Sequence, residues 1–216
     1  MIRYIYIKVR AKVKATALYL LPFLVLSLLA SCSEEDSSVP DFVNWAPTNT
    51  SYFNDLYAET QQRIANGDDS WRIIRTWTLE EEMAQQPDNY IVAHILEEGS
   101  GSPSYHSTDS VVCHYAGRLL PSTWYPEGYV FDKSYFGELD PQVAVPVTFS
   151  INGVIDGFAT ALMEMRPGSH WVIYIPAALG YGASTKTNTT TGDVSIPAYS
   201  TLIFDVYLVS HHAAAS

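Results

Sequence analysis

Phe149-Ser150-Ile151-Asn152-Gly153-Val154-Ile155-Asp156-Gly157-Phe158, continued through Met165-Arg166-Pro167-Gly168 to Trp171-Val172-Ile173-Tyr174-Ile175-Pro176 and Leu179-Gly180-Tyr181-Gly182, decides how the rest of the chain is read. Asn152-Gly153 sits between apolar-alternating flanks, the strongest short-range hairpin signal, because a type I′ turn needs positive φ at both central residues. The spacing predicts that Val154-Ile155 leave a tight turn and that Asp156 accepts hydrogen bonds from the free N–H groups of the turn after it. Phe158, Leu162, Met163 and Met165 recur at helical spacing, and Pro167-Gly168 stops the helix. One short helix therefore lies between strands, and its apolar stripe needs a sheet to cover.

Working outward, Val112-Cys113-His114-Tyr115-Ala116-Gly117, Val130-Phe131-Asp132-Lys133-Ser134 and Pro146-Val147-Thr148-Phe149 come before the helix. Ile196-Pro197-Ala198-Tyr199-Ser200-Thr201-Leu202-Ile203-Phe204-Asp205-Val206 comes after it. In this order, with the motifs of the central stretch, they resemble the FKBP-type peptidyl-prolyl cis/trans isomerases over roughly the last 120 residues, a typical single-domain length. The resemblance implies an α+β domain over 89–212, an antiparallel sheet of about five or six strands curled over one short helix. It implies isomerisation of X-Pro bonds in unfolded or partly folded exported proteins, with no cofactor, and macrolide-type ligands for the pocket. The competing reading is a catalytically weak binding or chaperone module of the same fold on the cell envelope.

On composition alone the apolar residues of these motifs read as core. The resemblance instead assigns Tyr115, Phe131, Phe149, Val154, Ile155, Phe158, Tyr181, Ile196 and Phe204 to the walls of a substrate pocket, with Asp132 its charged member. It implies that Ile155 N–H and the Tyr181 hydroxyl donate to substrate carbonyls, that Phe158 floors the proline ring, and that Asp132 hydrogen-bonds Tyr115. Phe158 stands where many members carry tryptophan, and Val147 where an aromatic is common. Two segments depart from the usual pattern: the aromatic connection Leu120–Tyr129 and the polar loop Ala183–Val194. For Trp124 and Tyr125 two readings stand, a rim or exposed contact patch, or packing against the N-terminal helices.

Residues 1–31 read as an address rather than a fold. Arg3, Lys8, Arg10, Lys12 and Lys14 make a positive n-region, and Ala17–Ala30 is an apolar run of about 14 residues, short for a spanning helix. Leu29-Ala30-Ser31-Cys32 looks like a bacterial lipobox, with Cys32 the lipid attachment point and membrane anchoring through the acyl chains as the consequence. Loss of those five cations leaves seven Lys and Arg against 23 Asp and Glu, a formal charge of −16, which argues against nucleic acid as a partner. Ser33-Glu34-Glu35-Asp36 reads either as a surface-sorting tag or as a solvated acidic linker. The lipobox reading places the protein in the bacterial cell envelope, lipid-anchored at the outer membrane, with the periplasmic and surface leaflets both open.

Residues 32–49 read as a lipidated linker and 50–88 as a helical extension. Tyr52, Phe53, Leu56, Tyr57 and Ile64 form a helical stripe ending at Asn66-Gly67, and Thr78-Leu79-Glu80-Glu81 fits a capping box that begins a second helix halted by Pro87. The extension either packs on its own domain or serves dimerisation. Because every family-like motif lies after it, a fragment beginning near Asn89 is expected to fold. With Cys32 lipidated, Cys113 is the only remaining thiol, so no disulfide forms. Its alternation with Tyr115 makes it a core hydrophobe, with His114 on the opposite face. No His, Cys, Asp or Glu spacing suits a metal.

Overall fold

Helix α1 (Trp45–Ala65) opens the part of the chain that the computed structural model describes, residues 42–103 and 106–214. The signal and lipobox over 1–31, Cys32 and the acidic run after it lie outside the described residues. Trp45, Asn49, Phe53 and Thr60 are the buried positions of α1, a stripe that begins at intervals of four because 3.6 residues complete a turn. Helix therefore replaces linker from Trp45 onward. The sequence stripe is confirmed at Phe53, whereas Ile64 is exposed. Asn66 and Gly67, with φ +87° at the glycine, end the helix as expected.

The extension packs on the domain that follows it. Trp45 Nε1–H donates to Ser200 Oγ at 2.8 Å, and Thr201 N–H donates to Asn49 Oδ1 at 2.7 Å. After α1 comes strand β1 (Trp71–Arg75), which pairs antiparallel with β2 (Tyr90–Glu97) from Trp71 opposite His94 to Arg75 opposite Tyr90. The expected second helix is only a 3-10 turn over Glu81–Met83. Thr78 does not cap it: the cap position is Glu80, and the Thr78 hydroxyl is hydrogen-bonded to that of Thr76 at 3.0 Å.

The remaining strands are β3 (Ser110–Arg118), β4 (Val130–Lys133), β5 (Val147–Ser150), β6 (His170–Ile175), the short pair β7 (Lys186–Thr187) and β8 (Val194–Ile196), and the long β9 (Leu202–His212). Among the described residues the main sheet has seven strands in the order β1-β2-β6-β9-β3-β4, with β5 also on β3. Strand β4 pairs with Ala116–Arg118 and β5 with Ser110–Cys113, so two short strands divide one edge of β3. The fold class is the expected one, with β1 an addition from the extension. The loop Ala183–Val194 is a hairpin rather than an open loop, its tip held by Asn188 N–H on Asp193 O at 2.8 Å.

Helix α2 (Asp156–Glu164) covers one face of the sheet, with Phe158, Ala159, Ala161 and Leu162 buried. Its close approach needs Gly157, where a Cβ would stand 2.3 Å from Ile175 Cγ2. Asn152-Gly153 is not a hairpin. Ile151–Gly153 form a 3-10 turn, Ile151 N–H donates to Asp109 O at 3.0 Å and Asn152 N–H to Ser107 O at 2.9 Å, and the chain enters α2 instead of a returning strand. Asp156 is the first helical residue rather than the cap, which is Ile155, and its carboxylate faces the favourable end of the helix dipole.

One surface pair makes stability depend on pH. His170 Nε2 lies 2.7 Å from Asp205 Oδ1, and that hydrogen bond raises the His170 pKa against the opposing effect of burial. A raised folded-state pKa means the contribution is complete below the unfolded value of about 6.5 and is lost as pH rises through the folded value. Because the pair is partly exposed, the expected loss is at most about 1 kcal/mol. Denaturant titrations should show it for the native chain, and Asp205→Asn should abolish it; an equal pH dependence in both would count against the pair.

Candidate functional site

Strand β3 brings Tyr115 to the concave side, β4 brings Phe131 and Asp132, β5 brings Phe149, and α2 brings Phe158 from beneath. These residues, with Val154, Ile155, Tyr181 and Phe204, line a cavity of about 410 Å³. The rings meet mostly at steep angles: Tyr115 and Phe149 at 5.4 Å and 62°, Phe149 and Phe158 at 6.0 Å and 89°, Phe131 and Phe204 at 5.5 Å and 84°. Such edge-to-face contacts suit the ring quadrupoles and leave ring faces and edges, rather than polar groups, as the cavity surface. Gly117 permits the closure on one side, since a Cβ there would lie 2.6 Å from Phe131 and 2.7 Å from Phe204.

Among the described residues one carboxylate, Asp132, lines this wall, and it is engaged. The Tyr115 hydroxyl donates to Asp132 Oδ2 at 2.5 Å. Burial, then the hydrogen bond and charge of Asp132, raise the Tyr115 pKa far above its ordinary value, so the phenol keeps its proton. Burial and the Asp132 charge raise Tyr181 as well. Ile155, as the N-cap of α2, belongs to the first turn whose N–H groups have no acceptor within the helix. The wall thus presents apolar rings, a tethered carboxylate, a backbone N–H and a phenol, which can hold a polypeptide segment and withhold water from it.

Nine of the ten residues assigned from sequence meet at this cavity, and Gly153 joins them. Ile196 does not: it is buried in the core at the end of β8. Lys186 was not foreseen. Its Nζ sits 4.7 Å from the centroid of the Tyr181 ring, a cation–π contact that the β7–β8 hairpin creates and that no local sequence signal announces. Cys113 is fully buried and its thiol pKa is pushed up to about 12 by burial, consistent with an inert core residue. His114 is also buried, and burial lowers its pKa, which favours the neutral imidazole. Trp124 and Tyr125 do not line the cavity; both are exposed, and Tyr125 packs on Tyr129 at 4.9 Å. His94 stacks on Trp71 at 4.4 Å.

Comparison with known proteins gives a consistent picture. The profile of the FKBP-type peptidyl-prolyl cis-trans isomerases matches residues 101–209. The FKBP-type 22 kDa peptidyl-prolyl cis-trans isomerase of Escherichia coli K12 is 37% identical over 116 residues, 53% of this chain and 47% of that protein. The outer membrane protein MIP of Legionella longbeachae is 32% identical over 121 residues, 56% of this chain and 44% of that protein. The chain spans about half the length of the curated relatives it matches. In fold it is similar to the crystal structure of FkpA from Escherichia coli, with a TM-score of 0.52 and 24% identity over 81% of this chain and 64% of that one.

Proposed function

The chain belongs to the FKBP-type peptidyl-prolyl cis-trans isomerase family, and from that premise we propose that it accelerates rotation about X-Pro bonds in unfolded or partly folded proteins of the cell envelope. The observation that carries this reading is the cavity itself: aromatic on most sides, with its single carboxylate already bonded to Tyr115. Unaided, X-Pro bonds reorient in tens to hundreds of seconds, slow enough to limit folding. The barrier of about 18–20 kcal/mol comes from amide resonance, and the twisted state has lost that resonance and much of the carbonyl charge separation. A dry aromatic wall therefore favours the twisted state over the planar one, which is the differential interaction catalysis needs. Phe158 floors the proline ring, Ile155 N–H and the Tyr181 hydroxyl donate to substrate carbonyls, and Asp132 fixes Tyr115. No covalent step is required.

The test is a protease-coupled or NMR-exchange assay on a blocked Leu-Pro peptide. Turnover no faster than buffer, with peptide still bound, would make the protein a binding module. The rate should be flat from about pH 6 to 8, because no histidine lines the cavity and both tyrosines titrate above their usual value of about 10. Tyr181→Phe removes one neutral donor worth about 0.5–1.5 kcal/mol, so turnover should fall by no more than roughly tenfold. A bell-shaped profile centred near the histidine range, or inactivation by a chelator, would overturn the mechanism.

Envelope anchoring is supported by the n-region, the apolar run and Leu29-Ala30-Ser31-Cys32. Cys32→Ser should abolish palmitate labelling and membrane retention in cells. Persistent labelling would remove Cys32 as the attachment point.

A further inference from the structure

Phe136, Val145 and Val143 are 98%, 80% and 78% exposed, the three most exposed large apolar side chains among the described residues. All three belong to the connection 134–146 between β4 and β5. Its two ends are cavity walls: Phe131 and Asp132 precede it, and Phe149 follows it. With Tyr135 and Ala144 the three line a second depression of about 350 Å³, which also carries Glu138 and Asp140.

The connection is held in shape rather than left to collapse. Ser134 N–H donates to Tyr115 O at 3.0 Å and Ser134 Oγ accepts Tyr115 N–H at 3.0 Å, tying the segment to the residue whose hydroxyl enters the cavity. Asp140 O accepts the N–H groups of Val143 and Ala144 at 3.1 and 2.8 Å, and its side chain accepts that of Gln142 at 3.0 Å. Clustered apolar side chains displayed on an ordered turn mark an interaction site more often than a solvated loop does. An extended chain advances about 3.3 Å per residue, so a substrate whose proline fills the aromatic cavity carries its flanking residues across neighbouring surface.

We propose that the segment 134–146 is the outer half of the substrate site, taking the apolar residues that flank the proline in an unfolded polypeptide. Glu138 and Asp140 at its border favour clients with a lysine or arginine beside the apolar stretch. The inference rests on the isomerase reading, but its test separates the two.

The test compares the full chain with the triple variant Phe136→Ser/Val143→Ser/Val145→Ser. The variant should unfold at the wild-type temperature, since the three side chains are almost wholly solvated. It should turn over a blocked Leu-Pro tetrapeptide within twofold of wild type, because none of the three side chains lines the aromatic cavity. Catalysis of the proline-limited refolding of a whole protein should fall at least fivefold, and a reduced, carboxymethylated protein should bind at least fivefold more weakly by fluorescence anisotropy. Equal performance of the two chains on both substrates would overturn the proposal. So would a parallel loss on both, which would put the segment inside the cavity. A wild-type dimer that becomes monomeric in the variant on sedimentation, with client binding unchanged, would assign the patch to a second copy of the chain and overturn it too. Failure of the wild type on the tetrapeptide would refute the isomerase reading, and the anisotropy comparison would still decide for or against the client surface.

Discussion

A chain shortened to begin at Asn89 is expected to lose its cooperative unfolding transition, although every motif of the isomerase domain is still present in it. This expectation differs from the one drawn from sequence because the extension supplies part of the core. Trp45 and Phe53 are 8% and 2% exposed, and Trp45 packs with the central cluster around Ile91, Ala93 and Phe158. Removing a buried Phe or Trp side chain costs about 3–5 kcal/mol each, and a domain of this size has only about 5–15 kcal/mol to lose. Deletion also strips β1 from β2, leaving five ladder positions of β2 unpaired on that side, and removes Asn49 from Thr201 N–H, whose environment is 1% exposed. An unpaired buried donor adds about 1–3 kcal/mol. Thermal melting followed by circular dichroism should show a broad, non-cooperative change for the fragment and a sharp one for the chain from Phe42. A sharp transition in the fragment, within a few degrees of the longer chain, would show that the extension is an accessory.

How much of this was legible in the sequence depended on whether a signal was local. The α2 stripe of Phe158 and Leu162 is a matter of 3.6-residue spacing, and the alternation of Cys113 with Tyr115 is a matter of two-residue spacing, so both emerge as read. Asn152-Gly153 misled because its hairpin propensity competes with partners far along the chain. Phe149 and Thr148 pair with Val111 and Val112, and the turn itself is fastened to Ser107 and Asp109, so the tertiary ladder overrides the local preference. Strand β1 was unreadable for a different reason: Trp71-Arg72-Ile73-Ile74-Arg75 shows no alternation, and all five residues of this edge strand are half-buried. The site was legible chiefly through resemblance, since Tyr115, Phe131, Phe149 and Phe204 are indistinguishable from core aromatics by composition. Ile196 is the one residue of that transfer that the cavity does not include, being buried at the end of β8, while Lys186 from the same hairpin comes over Tyr181.

The second large effect is expected at Phe149, where replacement by alanine should lower kcat/KM at least tenfold and more than Tyr181→Phe does. Phe149 holds two walls together, meeting Tyr115 at 5.4 Å and Phe158 at 6.0 Å, and it is only half-buried, so its removal opens the cavity to solvent rather than leaving a sealed void. Water admitted there would solvate the planar amide, whose carbonyl carries the larger charge separation, and so raise the barrier that the dry wall lowers. A tenfold loss corresponds to about 1.4 kcal/mol, comparable to the upper worth of a single neutral hydrogen bond, and a whole aromatic face should exceed it. Phe149→Leu, which keeps an apolar wall without the ring, should recover most of the rate. Val147→Ala separates the catalytic effect from simple destabilisation. Val147 lies two residues earlier on the same strand and packs against the core without lining the cavity, so its truncation should lower the melting temperature while leaving kcat/KM near wild type. If Phe149→Ala and Val147→Ala lose rate equally, the loss belongs to the scaffold and the aromatic wall has no special part in the twisted state; if Phe149→Ala alone loses rate and the leucine variant regains it, exclusion of water by that wall is what lowers the barrier.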